Sequence, residues 1–383
     1  MSNPLSIGIA GAGLSGRLLA WQLAKLGHRI TLFDKDQREA GDAAGFTAAG
    51  MLTPYAEAEA AELPIYRLGL RSLELWPSLV QELGSVRYQS RGSLLLAHAA
   101  DYAELAQFNA QLKHSIEPSA NQQQHLDRRG LHQLEPELCE HFDKAEFFPE
   151  EAWISASDCM QALARQCLEL GVQWLEHTQV EEIGEAFICA RQRHQAHAKQ
   201  QPEQAPQQHG EALRRDFDWV IDCRGTGAKS EWKDVRAVRG ELLWVQAPAV
   251  NITRLVRLMH PRYRLYLVPT GKDDIYIIGA TQIESEDWSP MSVRSALELL
   301  SALYSLHSGF AEARIVKMDS NCRPALKNNL PQIQVHNRVL RINGLFRHGY
   351  LLAPAVAEQV LAVIQKQKVC NTHSAIDSIV SNV

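Results

Sequence analysis

The stretch IGIAGAGLSGRLLAWQLAKLGHRITLFDKD, Ile7 to Asp36, decides the fold class. An apolar run ends at Gly11, glycines recur at Gly13 and Gly16, and Leu19, Leu23 and Leu26 follow at helical spacing. Gly27 suits a left-handed helix end, and the β-branched run RITLF reads as a second strand that stops at Asp34. Strand, tight turn, helix and strand make a βαβ unit. In such a unit the first glycine makes the turn, the second admits a pyrophosphate close to the backbone and the third lets helix and strand pack. The helix amides face the phosphate charge. An acid closing the second strand takes ribose hydroxyls, and Asp34 stands there. Gly11, Gly13, Gly16 and Asp34 therefore point to a bound dinucleotide, without choosing between NAD and FAD.

Working outward, the 383-residue chain exceeds one ordinary domain, and at about 150 residues each roughly two or three are expected. Its 45% hydrophobic and 22% charged residues suit a globular enzyme. No run approaches the ~20 apolar residues of a membrane span. The formal charge of −5, with no basic stripe carrying aromatics, argues against nucleic acid. The first strand starts at about Leu5 with no cleavable leader before it, so a cytoplasmic location is expected. Seven cysteines without a CxxC pair read as free thiols, and His194 and His197 have no acid or thiol ligands nearby, so no metal is expected.

Helices are predicted over about 63–83, in DYAELAQFNAQLKH, in LHQLEPELC, in SDCMQALARQCLELG with Ser157 or Asp158 as cap and Gly171 as stop, and in SVRSALELLSALYSL. RGELLWVQAP, RLVRLMHP, RLYLVPT and DIYIIGAT read as strands of one antiparallel sheet. The glutamine-rich segment 191–215 has almost no apolar content and reads as a long exposed hairpin loop; residues 371–383 read as a loose tail. WVIDCRGTGA runs a buried strand into a second glycine turn, and GLFRHGYLLAP sets Gly344 and Gly349 before a helix with Pro354 near its first turn. Amides there suit the negative charge of a reduced flavin. Dinucleotide-binding pieces at the start, middle and end, with sheet strands between, predict two interleaved domains.

Taken together, IAGAGLSG, FTAAGML with AEAE after it, RGSLLLAH, VRGELL, YLVP, IIGAT, CRPAL and FRHGYLLAP, in this order over residues 5 to 365, resemble the glycine oxidase and D-amino-acid oxidase family of flavoenzymes. The similarity is greatest to the glycine oxidases of thiamine thiazole synthesis. The resemblance implies noncovalent FAD, an α/β fold that interleaves a Rossmann-like FAD-binding domain (1–86, 152–235, 331–370) with an antiparallel-sheet substrate domain (87–151, 236–330), and oxidation of an amine to an imine. It also implies a small amino-acid substrate, oxygen as electron acceptor with release of peroxide, thiazole-synthesis enzymes as partners and a homo-oligomer. Arg323 in CRPAL corresponds to the arginine that holds the substrate carboxylate, Tyr266 to a tyrosine of the same pocket, Met51 to a residue near the flavin and Arg347 to one at the isoalloxazine end. Ala48, Ala49 and Gly50 match backbone around the flavin, and Val180 a residue beside the adenine. The same motifs add Lys35, Thr47, Cys223, Arg224, Gly225, Gly344, Gly349, Tyr350, Leu351 and Leu352 to the cofactor candidates.

The sequence departs from the family at DSNCRP, where an aromatic residue and a glycine often precede the arginine, and at His348 and Tyr350. No GxSxG or HExxH occurs, so the protein is expected to work by orientation, with the flavin carrying the chemistry. A sarcosine or D-amino-acid oxidase, a dehydrogenase passing electrons to a quinone, and a flavin-binding protein without catalysis remain as alternatives.

Overall fold

The structure, a computed structural model, describes residues 3–58, 62–192, 211–260, 264–366 and 380–382. The strand Ser6–Ala10 lies inside a seven-stranded sheet with Arg29–Phe33 on one side and Trp219–Asp222 on the other, all parallel. The two glycine-turn strands foreseen from IGIAGAG and WVIDCRGTGA are thus direct neighbours. Val339–Asn343 continues the sheet in parallel and turns back through an antiparallel hairpin to Gln332–His336, while Gln173–Leu175 closes the far edge. Helices Leu14–Lys25, Leu63–Leu83, Ala156–Glu169 and Gly349–Lys366 pack together over one face, burying Trp21, Trp76, Leu163 and Val360. The other face is covered by the three-stranded meander Thr178–Gly184, Phe187–Gln192, Ala212–Asp216, through Val180, Ile188 and Phe217. Burial on both faces is why these central strands read as unbroken apolar runs.

The second sheet has eight strands, from Arg314–Ala325 at one edge through Arg236–Gln246, Ile275–Gly279, Arg264–Pro269, Leu255–Met259, Ser93–Ala97 and Lys144–Phe148 to Gln124–Asp127. Its strands Arg236–Gln246, Ile275–Gly279, Arg264–Pro269 and Leu255–Met259 pair antiparallel as expected, but the sheet is not antiparallel throughout, since Leu255–Met259 and Ser93–Ala97 run parallel. These two come from distant chain segments, so no hairpin dictates their sense. Helix Val293–Leu306 covers one face through Leu299 and Leu303. Met51–Leu52, Ala152–Ile154 and Tyr88–Gln89 form a small third sheet.

Four further expectations are corrected. Helix Ala156–Glu169 is capped by Ser155, whose hydroxyl accepts from the Asp158 amide at 3.4 Å, rather than by Ser157 or Asp158. The last helix starts at Gly349, so Pro354 sits beyond its first turn, and the Ala355 amide bonds the Ser72 hydroxyl. Of the glutamine-rich segment, Arg191, Gln192 and 212–215 belong to paired strands, and 193–210 lie outside the described residues. Of the tail, Val380–Asn382 pairs with the strand Gln332–His336, and 371–379 and 383 lie outside the described residues. Leu63–Leu83 matches its expected bounds, and Gly27 and Gly171 end their helices at φ +82° and +77°.

Candidate active site

The glycine turn behaves as its spacing demands. Gly11 has φ +93°, and a Cβ on Gly16 would overlap the Gly11 carbonyl oxygen, so helix and turn touch backbone to backbone. Gly13 is the helix N-cap, and a Cβ there would meet nothing nearer than Ala43 at 3.8 Å. Open space thus lies in front of amides that have no helical partner. Asp34 lies beside them: its carboxylate accepts from the Ala12 amide and, at 2.8 Å, from the Asp36 amide. Burial pushes its carboxyl above the usual range.

From this turn a cleft of about 1390 Å³ runs between the two large sheets, more than the roughly 300–1,000 Å³ of an ordinary ligand pocket. Gly11, Gly13, Asp34, Lys35, Val180, Cys223, Arg224 and Gly225 line it, as do Thr47, Ala48, Ala49, Gly50 and Met51. Gly50 has φ +77° and no room for a Cβ beside the Ile154 carbonyl, while Trp153 Nε1 donates to the Ala49 carbonyl at 2.6 Å; together they fix that backbone strip along the wall. Gly344, Arg347, Gly349, Tyr350 and Leu351 complete the lining from the last strand and helix.

Two candidates do not face the cleft. Gly16 acts through packing, and Leu352, one helical step past Leu351, points into the core with no exposed surface. Two others face it with their polar groups already engaged. Tyr350 donates its hydroxyl to the Gly45 and Ala156 carbonyls, both at 3.0 Å. Arg224 forks onto Asp222 at 2.8 and 2.9 Å and reaches Glu231 at 3.1 Å, so it offers the cleft mainly backbone.

Toward the eight-stranded sheet, Tyr266 and Arg323 line the cleft together. Two glycines make their space: a Cβ on Gly240 would stand 2.6 Å from Arg323 Nη1 and nearer still to Nη2, and one on Gly279 would stand 2.5 Å from the Tyr266 hydroxyl. Arg323 Nη1 donates to the Thr281 carbonyl at 3.2 Å. Among the described residues no carboxylate lies within ion-pair distance of it, unlike the neighbouring arginines. Desolvation lowers its pKa. Asn321 and Cys322, where the sequence departs from the family, also line this part of the cleft.

Sequence reasoning missed the group beside them. Glu57, within AEAE, is held between Arg347 Nη2 at 2.7 Å and Arg257 Nη1 at 3.4 Å. Arg347 is therefore already ion-paired and is a poor substitute for Arg323 as a carboxylate anchor. His348, almost fully buried, is pushed down to about 4 by desolvation, which keeps it neutral near pH 7. Of this cluster the sequence singles out Arg347 and His348, and the signal for Glu57 is the acidic run after FTAAGML. Among the described residues no group of three His, Cys, Asp or Glu side chains is placed to hold a metal ion, and no helix is long and apolar enough to cross a membrane.

Residues 6–362 match the model of the DAO family, described as FAD dependent oxidoreductase. The chain belongs to that family. It is 35% identical over 358 residues to a Rhizobium etli oxidoreductase named ThiO, for thiamine biosynthesis, covering 92% of this chain and 94% of the relative. It is 26% identical to a glycine oxidase of Bacillus licheniformis, with 93% and 92% covered. The crystal structure of glycine oxidase from Geobacillus kaustophilus superposes with a TM-score of 0.79 at 24% identity, covering 98% of this chain and 97% of that one. The cofactor of this family is FAD, and the glycine turn, its open amides and Asp34 fit one. The protein is an FAD-dependent oxidoreductase of the DAO-type fold.

Proposed function

We propose that this enzyme oxidises the amine of a small amino acid, glycine or a close relative such as sarcosine. The imine then hydrolyses or enters the thiazole assembly of thiamine synthesis. Arg323 carries the reading. A guanidinium in a desolvated cleft without a carboxylate partner is costly, and a ligand carboxylate relieves that cost through a bidentate fork. Tyr266 adds a hydrogen bond beside it, and the pair fixes the α-carbon by orientation alone. No strong side-chain base is required when the amine enters with a free lone pair, which agrees with a His348 whose pKa, lowered to about 4, makes it a weak base and a Glu57 already held by two arginines. FAD, when bound, would supply the two-electron acceptor for the hydride of the α-carbon, with dioxygen as the terminal oxidant and hydrogen peroxide as its product.

In this reading the cofactor is held by Gly11, Gly13, Asp34, the 47–51 strip, Val180, the 223–225 turn and the 344–351 turn. Domain limits of 1–86, 152–235 and 331–370 for FAD, and 87–151 and 236–330 for substrate, accompany it. The two relatives named above support glycine and thiamine synthesis as its setting. The test is anaerobic mixing of the holoenzyme with glycine, sarcosine, D-alanine and D-proline while flavin absorbance is followed, and then admission of air with peroxide measured. Bleaching by glycine or sarcosine with peroxide on aeration is expected. A strong preference for D-proline or D-alanine overturns the substrate, bleaching without peroxide replaces oxygen by another acceptor, and no bleaching with any amine removes amine oxidation.

A further inference from the structure

The motif VRGELL places Arg239, Gly240 and Glu241 in one strand, Arg236–Gln246, whose alternate residues face opposite ways. Gly240 lies against the Arg323 guanidinium on the cleft side. Arg239 and Glu241 face away from the cleft as a buried ion pair, with Nη2 to Oε1 at 2.7 Å. Both grip the segment that follows the strand Ile275–Gly279. Arg239 donates to the carbonyls of Asp287 at 2.6 Å and Pro290 at 2.9 Å, and its backbone pairs in both directions with Ile283. Glu241 Oε2 accepts from the Thr281 hydroxyl at 3.0 Å, and that hydroxyl accepts in turn from the Glu241 amide at 3.0 Å. The Thr281 amide donates to the Glu241 carbonyl, so this residue is held at three points. Its own carbonyl is the acceptor for Arg323 Nη1.

We propose that the Arg239–Glu241 pair is a positioning device for substrate binding: Glu241 fixes Thr281, and the Thr281 carbonyl aims the Arg323 guanidinium at the substrate carboxylate. The proposal rests on the reading of Arg323 given above. A buried ion pair is weak evidence of stabilisation and is better attested as a determinant of register. Here it sets the register of a segment whose residues Thr281, Gln282, Ile283 and Trp288 line the cleft. Arg323 has a long, rotatable side chain, Gly240 packed against it contributes no side chain to restrain it, and the Thr281 carbonyl is the hydrogen-bond acceptor for its guanidinium. The Thr281 carbonyl therefore selects one rotamer, and a misplaced Thr281 leaves the arginine present but misdirected.

The test is a double-mutant cycle on the FAD-loaded enzyme, read by the dissociation constant of acetate, titrated by its effect on flavin absorbance, and by KM and kcat for the amine substrate. Thr281→Val removes the hydroxyl while keeping the carbonyl and the β-branched shape. It is expected to raise both the acetate dissociation constant and KM about tenfold, near 1.4 kcal/mol, with kcat changed less than about twofold. Thr281→Ser, which keeps the hydroxyl, is expected to restore both. In an Arg323→Ala background Thr281→Val is expected to change nothing further, because its effect runs through the arginine. Glu241→Gln, of the same shape, is a second variant scored by the same two constants should Thr281→Val fold poorly. Unchanged acetate binding in either variant at native FAD content, or an equal loss with and without Arg323, overturns the proposal. Normal acetate binding by Arg323→Ala alone overturns instead the carboxylate reading on which it rests.

Discussion

Substituting Gly240 by alanine separates substrate positioning from folding. The added methyl carbon would stand 2.6 Å from Arg323 Nη1 and closer to Nη2, whereas carbon and nitrogen rest at about 3.5 Å. The guanidinium must withdraw by roughly an ångström, and it is the end of a flexible side chain, so it gives way more cheaply than the strand. Stability is therefore expected to stay within about 1 kcal/mol of the parent, with the roughly 0.5–1 kcal/mol that alanine gains over glycine in a strand offsetting part of any strain. Catalysis is not expected to be spared, because a 1 Å misplacement costs about a hundredfold, or some 2.7 kcal/mol at 1.4 per decade. The assay is steady-state kcat/KM on the best amine found by flavin bleaching, with FAD content and Tm measured on the same preparation. The expected result is native FAD content and Tm with kcat/KM down about a hundredfold. A Gly240→Ala enzyme with kcat/KM within about threefold of the parent at full FAD content would refute the placement of Arg323 against this strand.

Arg323→Ala should lower kcat/KM by about 2 to 5 kcal/mol, roughly thirty- to several-thousandfold, with FAD retained; near-normal kinetics would move the carboxylate site. Gly16→Ala meets the backbone carbonyl of Gly11 rather than a side-chain tip, so absorbance at the flavin band after reconstitution should show loss of FAD, and native occupancy would contradict the packing argument. Two buried groups shape stability against pH. Burial pushes Glu151 from 4.5 up to about 8, so the folded chain keeps a proton the unfolded chain has lost, and stability falls as pH rises through that window. Burial holds His348 at about 4 against 6.5, so its contribution is lost as pH falls from 6.5 toward 4. Between pH 6.5 and 8 only the Glu151 slope of these two remains, and Glu151→Gln should flatten the decline of Tm there; parallel curves for parent and variant would show that this carboxyl titrates normally.

The sequence by itself determined what short-range geometry dictates. The turn at Gly11, Gly13 and Gly16 is legible because its constraints, a left-handed glycine and a glycine against backbone, act within a few residues. Helix Leu63–Leu83 is legible because its apolar positions repeat at one period. Arg323, Tyr266 and the wall Ala48–Met51 came instead from the family resemblance that the ordered motifs carry, and the structure brings these to one cleft. Only the tertiary structure decided which groups are already spent. Arg257 and Arg347 share Glu57 across some 200 and 290 positions of chain, respectively. Leu352 turns into the core where Leu351 faces the cleft because helical rotation separates neighbours. The parallel joint between Ser93–Ala97 and Leu255–Met259, and the grip of Arg239 and Glu241 on Thr281, belong to the same class. Apart from the turn of Leu352, which follows from the rotation of its own helix, each is a pairing between segments remote in sequence, and no local pattern encodes a partner whose position exists only once the chain has folded.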